Sequence, residues 1–205
     1  MRTFGRKVLF FLLASSFACA QEQEEQPATN LDIFRMLAGK IAERTLKEAA
    51  VGAGEKLRLS VLPKESAWYI EGGIYDYVRS AKFGIGSDSG ATLDVEFGMS
   101  DARVQYANPR RDGFFGPRVV DRTVQLRLAA KVVHRQTGAL VLASDLMETR
   151  TDTLAVSDVA SVENPVVKAT QGTLPREGFF SNLAEPLILI GSIAVGVLLL
   201  FHVRS

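Results

Sequence analysis

The sequence predicts an α+β fold. A largely antiparallel sheet of about four or five strands carries two helices on one face, followed by one C-terminal transmembrane helix. Three observations predict it. Two early segments repeat apolar residues at helical spacing. Several later segments alternate apolar and polar residues, so each strand offers one apolar and one polar face. Finally, no charged side chain occurs from Pro186 to Val203.

The chain opens with Arg2, Arg6 and Lys7, an apolar stretch from Val8 to Leu13, and then small residues. That is the layout of a cleavable secretory signal over residues 1–20. Ala18 and Ala20 form an A-x-A site, so cleavage leaves Gln21 first. Cys19 is the single cysteine. A bacterial lipoprotein would carry its lipid on such a thiol, but Ser16, Phe17 and Ala18 depart from the usual aliphatic lead. Cleavage after Ala20 predicts a mature chain with neither disulfide nor cysteine-based metal site.

Residues 21–30, QEQEEQPATN, are polar and acidic and read as a flexible lead-in. The domain is expected over 31–160. Asn30 is the expected cap of a first helix running to about Ala50. Phe34, Leu37, Ala38, Ile41 and Thr45 form its apolar stripe. Gly52 and Gly54 end it. In KLRLSVLP, Leu57, Leu59 and Val61 share one face of a strand that Pro63 closes.

A second helix is predicted over Ser66–Ala81, with Ile70, Ile74, Tyr77 or Val78, and Ala81 in its stripe. Gly72 and Gly73 cost about 1 kcal/mol each in helix propensity unless they admit close packing on the sheet. GIGSDSG, Gly84–Gly90, lacks the phosphate-loop pattern and its lysine and reads as a flexible turn.

TLDVEF aligns Leu93, Val95 and Phe97, and ARVQY aligns Ala102, Val104 and Tyr106. GMSD between them suits a hairpin turn. A longer strand follows with Val124, Leu126, Leu128, Ala130 and Val132 on one face. Thr123, Gln125, Arg127 and Lys131 lie on the other. RQTG turns the chain into Ala139–Ser144. The pattern then loosens, and residues 161–185 read as a linker punctuated by Pro165, Gly172, Pro175 and Gly178.

The closing run, 186–203, is apolar all round. About 18 residues at about 1.5 Å each give about 27 Å, near the thin end of a bilayer core. Pro186 suits a first helical turn, and Glu185 complements the helix dipole. Phe179 and Phe180 just before it suit a membrane-surface anchor. LPREG at Leu174–Gly178 departs from a sortase motif, since Glu177 stands where threonine is cut.

A formal net charge of +1 argues against a nucleic-acid partner. His134 and His202 are the only histidines and lack metal-ligand spacing. No catalytic, cofactor-binding or metal-binding residue is assigned, and no cofactor is expected. Glu71, Asp94, Glu96 and Asp101 are candidates for carboxylate chemistry, which would make the chain an envelope-acting hydrolase. Otherwise they are solvated surface charges. The segment NPRRDGFFGPR stands out more. Arg110, Arg111 and Arg118 flank Phe114 and Phe115 in an expected loop, and arginine with aromatics is what interfaces enrich. The alternative is that the phenylalanines fold back onto the core.

The order helix, strand, helix, strands, then a hairpin carrying RQTGALVLAS resembles bacterial envelope domains of the FlgO, CsgG and LpoB type. The likeness spans Leu31 to Ser144. It implies a non-enzymatic module that helps build or regulate an envelope machine, with an envelope protein as partner. It departs from that type, typically lipoproteins, in its lipid box and its C-terminal span, and no functional residue carries over. The resulting expectation is a single-pass protein of a bacterial inner membrane. Its domain would lie in the periplasm as a scaffold or adaptor, and its C-terminus, with Arg204, in the cytoplasm.

Overall fold

A computed structural model describes residues 26–86, 90–113, 116–175 and 181–202. The signal over 1–20 with Cys19, the loop residues Phe114 and Phe115, and the anchors Phe179 and Phe180 lie outside the described residues.

Helix α1 spans Asn30–Glu48. Its stripe is apolar at the expected positions, and Ile33, Phe34, Leu37, Ala38, Ile41 and Leu46 are all buried. The cap is Thr29, whose Oγ1 accepts the Asp32 N–H at 3.2 Å. Asn30, expected to cap, is fully buried instead. Strand β1 (Lys56–Leu62) leads into α2 (Lys64–Ser80), which buries Ile70, Ile74 and Val78. Gly73 is needed for close approach, but to α1 rather than to the sheet. A Cβ there would stand 1.9 Å from the Arg35 carbonyl oxygen.

Part of the glycine-rich turn is a two-residue strand, β2 (Gly84–Ile85), parallel to β1. Strand β3 runs unbroken from Leu93 to Arg111, and the expected hairpin turn at GMSD does not form. A bulge takes its place. Met99 opposes Leu128 and Asp101 opposes Arg127, so Ser100 is the extra residue. The bulge explains the apolar pattern, which moves from odd positions (Leu93, Val95, Phe97) to even ones (Val104, Tyr106) while keeping one face on the core.

Strands β4 (Arg118–His134) and β5 (Leu140–Ala155) complete the sheet, and β5 runs well past the expected end at Ser144. The order is β2-β1-β3-β4-β5. β1 is parallel to both its neighbours, and the β3-β4-β5 pairings are antiparallel. Helices α1 and α2 cover one face, burying Phe97, Val124, Leu126 and Leu128 beneath them. Past β5, a short helix α3 (Val159–Val162) and a 3-10 turn (Lys168–Thr170) fold back on the domain. Val162, Val167 and Thr170 are buried, so packed residues continue past 160 into the expected linker.

Helix α4 spans Ser181–His202. Its described side chains, 188–200, are all exposed. Among the described residues no helix is long and apolar enough to cross a membrane, so the span expected over 186–203 is not established here.

Candidate functional site

Three places on the domain gather functional side chains. The first is the end of the β3–β4 hairpin. Arg110, Arg111 and Arg118, expected in a loop, belong to the strands: Arg111 opposes Arg118, and Arg110 opposes Val119. The loop itself is short, closed by the Asp112 N–H donating to the Pro117 carbonyl at 3.0 Å. A second bulge between Ala107 and Arg110 places Asn108 at a φ of 51°, the left-handed region asparagine tolerates. That bulge aims two donors at one carboxylate. Asn108 Nδ2 donates to Asp121 Oδ2 at 2.9 Å, and Arg110 Nη1 to Asp121 Oδ1 at 2.7 Å. Thr153 Oγ1 adds a third at 3.2 Å. These bonds, Asn108's foremost, hold the Asp121 carboxyl below its ordinary range. Arg110 is thus engaged within the hairpin; it is exposed, as are Arg111 and Arg118, which stand side by side at its end.

The second place is a cleft of about 220 Å³ on the open face of the sheet, lined by Arg58, Ser60, Asp94, Glu96, Lys131 and Val133. It brings together two of the four candidate carboxylates. Glu71 lies in α2 and Asp101 beside Arg103 at 3.5 Å; neither lines the cleft. Asp94 is gripped by Arg58, with Nε to Oδ1 and Nη2 to Oδ2 both at 2.8 Å, and Arg135 Nη1 stands 3.7 Å from Oδ1. Both Asp94 oxygens thus face guanidinium nitrogens. Among the described residues no group of histidine, cysteine and carboxylate side chains could hold a metal ion.

The third place went unmarked in the sequence reading. Arg122 on β4 faces the helices and is 1% exposed. Its Nε and Nη2 donate to the two carboxylate oxygens of Asp152 on β5, at 2.8 and 2.6 Å. Its Nη1 donates to the Ala28 carbonyl at 2.8 Å and to Asn30 Oδ1 at 2.9 Å. Asn30 Nδ2 in turn donates to the Thr170 carbonyl at 2.7 Å and to the Tyr106 hydroxyl at 3.2 Å. One buried network therefore ties the start of the domain to its last packed turn. Burial pushes the Tyr106 hydroxyl up to about 12. A signal for Arg122 was present: it stands in the inward phase of Val124 and Leu126, where a charge must find buried partners.

No protein-family model matches the chain, and no curated protein matches it. Among solved structures it is similar to a minor lipoprotein from Acinetobacter baumannii, at 14% identity, covering 53% of this chain and 76% of that one, with a TM-score of 0.36. It is also similar to the LpoB C-terminal domain from Salmonella enterica, at 11% identity, covering 56% of this chain and 97% of that one, with a TM-score of 0.29. The second is of the LpoB type that the hairpin pattern resembles.

Proposed function

We propose that the chain is a membrane-anchored, extracytoplasmic scaffold or adaptor of a bacterial cell envelope, acting by protein–protein contact. The single observation that carries this reading is α4. Its described side chains form an unbroken exposed run that includes Ile188 at 72% and Leu200 at 74% exposure. So continuous an apolar surface requires cover. The described run of about 13 residues rises only about 20 Å, short of a bilayer core. The sequence extends it without a charge from Pro186 to Val203. A lipid bilayer is the cover that suits an apolar surface on every side of one helix. A signal over 1–20 would deliver the domain, which packs through Thr170, to the periplasm, and the chain from there to Glu185 would tether it, with Phe179 and Phe180 at the membrane surface. Arg110, Arg111, Phe114, Phe115 and Arg118 are the proposed contact for an envelope protein.

The test is the fate of the full chain expressed in a Gram-negative host. The chain should remain in membranes washed at alkaline pH, and protease added to spheroplasts should digest the domain. A chain stopped after Glu185 should be released as periplasmic protein. A full chain extracted by alkali, or a truncated chain that stays in the membrane, would overturn the reading.

A further inference from the structure

The two edges of the sheet are built differently. One is closed by β2, which is only two residues long. The other is β5, sixteen residues and about 50 Å at about 3.3 Å per residue. Among the described residues β5 pairs with β4 and with no other strand. A long bare edge exposes a row of unpaired N–H and C=O groups that can template another strand. Natural edges are usually blunted by proline, by charged side chains or by bulges. β5 contains neither proline nor lysine, and its inward-phase charges, Glu148, Arg150 and Asp152, are of both signs, so they oppose some pairings and favour others. Its register with β4 is continuous from Leu142 to Ala155.

We propose that this edge joins two copies of the chain, with β5 pairing antiparallel to β5 of a second copy about a two-fold axis through Thr149. The charge pattern selects both the occupant and the register. With the axis at Thr149, Glu148 lies directly opposite Arg150 of the second copy, and Arg150 opposite Glu148, so the contact carries two opposite-charge pairs. Thr149 faces itself, Met147 faces Thr151 and Asp145 faces Thr153. No like charges meet. Moving the axis to Glu148 sets that carboxylate against itself. Moving it to Arg150 sets two guanidinium groups together and Glu148 against Asp152. An axis at Met147 pairs no charges. An axis at Thr151 also opposes Arg150 and Asp152, but it shortens the overlap and draws Asp152 away from Arg122. Directly opposed charges are the unit of register choice in a sheet. An antiparallel strand pair about a two-fold is also the isologous contact that closes at two subunits.

The side chains are placed for it. Glu148 accepts from Arg44 Nη1 at 2.8 Å and keeps 22% of its side chain exposed, while Arg150 is 41% exposed. In the pair, Glu148 would lie between Arg44 of its own chain and Arg150 of the second copy. Asp152 would face Leu146 of the second copy while staying bound to Arg122. The sheet would become continuous over ten strands, with both helical layers on the same side. This inference does not rest on the membrane anchor.

The test uses the full chain purified in detergent, with its mass measured by sedimentation equilibrium. The parent is expected as two chains at micromolar concentration. E148R and R150E should each weaken association about tenfold, because each turns two attractions into two repulsions. The double variant E148R/R150E should recover the parental value. It loses the Arg44 partner as E148R does, so its recovery separates pairing from folding. Thr149→Cys should crosslink efficiently across the axis. Thr151→Cys, about 13 Å from its counterpart, should not. The parent chain is the control for Cys19. A single-chain particle at all concentrations overturns the inference. So does a dimer indifferent to the charge swaps, as one held by α4 would be, or equal crosslinking at the two positions.

Discussion

Asp121 and Arg122 are consecutive residues of β4, and each takes part in an arginine–aspartate pair. Alternation sends them to opposite faces of the sheet. The Arg122–Asp152 contact is 2.6 Å and the Arg110–Asp121 contact 2.7 Å, so their lengths do not distinguish them. Their surroundings do. Arg122 is 1% exposed beneath α1, while Arg110 is 47% exposed on the open face. Water can replace any partner that Arg110 loses. It cannot take the place of Arg122 itself, which is buried, nor reach the Asn30 side chain that Arg122 serves. Bond length therefore says little about the stability each pair supplies, and burial decides it.

The largest effect expected from this contrast is that of Arg122→Ala. It leaves Asn30 Oδ1, the Ala28 carbonyl and Asp152 without their donor. Removing one member of a buried pair costs about 3–5 kcal/mol. Chemical denaturation of the purified chain should show a loss of that order, together with earlier release of the segment around Thr170 in hydrogen exchange. A loss below about 1 kcal/mol, the range of exposed pairs, would make the two faces equivalent.

Tyr106 sharpens the comparison from inside the network. Tyr106→Phe removes one acceptor from Asn30 Nδ2, which keeps the Thr170 carbonyl, so the expected cost is about 1 kcal/mol. The variant should also alter the alkaline limb of stability. The hydroxyl ionises at about 12 in the folded chain against 10.0 ordinarily, chiefly through burial. Its contribution is thus complete below about pH 10 and is lost as pH rises from there to about 12. Stability of the parent should fall more steeply across that window than stability of Tyr106→Phe. Some slope will remain, because burial also raises Tyr69. Equal slopes would mean that burial does not hold Tyr106 neutral.

Much of this arrangement is legible in the sequence, and the rest is hidden for identifiable reasons. The stripe of α1, the faces of β1 and the long alternation of β4 follow from local periodicity. The Ser100 bulge was legible too, as a phase change from odd to even apolar positions, but glycine and serine at GMSD gave a competing turn signal. Asn30 misled because a helix start offers asparagine two uses. Thr29 took the cap, leaving Asn30 to reach Tyr106 and Thr170, partners 76 and 140 residues away. Sequence spacing carries no trace of such partners. The arginines of the hairpin were visible as a cluster. That Arg110 spends its charge on Asp121 depends on a cross-strand register only the fold supplies.

The smallest effect is expected on the open face, where it is best read by titration rather than stability. Asp121 sits below its ordinary 3.8, first through the Asn108 hydrogen bond and then through Arg110. A lowered carboxyl stabilises the fold above the unfolded value and loses that contribution as pH falls through the folded one. Arg110→Ala should therefore raise the Asp121 value only part of the way, since Asn108 and Thr153 still donate. Carboxyl-carbon NMR would follow it directly. The denaturation midpoint at neutral pH should stay close to the parent, as exposed pairs contribute little. A full return to the ordinary value would make Arg110 the dominant partner. A fall in stability as large as that of Arg122→Ala would mean that the hairpin pair is shielded from water as well. Alternation along β4 would then have ceased to separate two electrostatic environments.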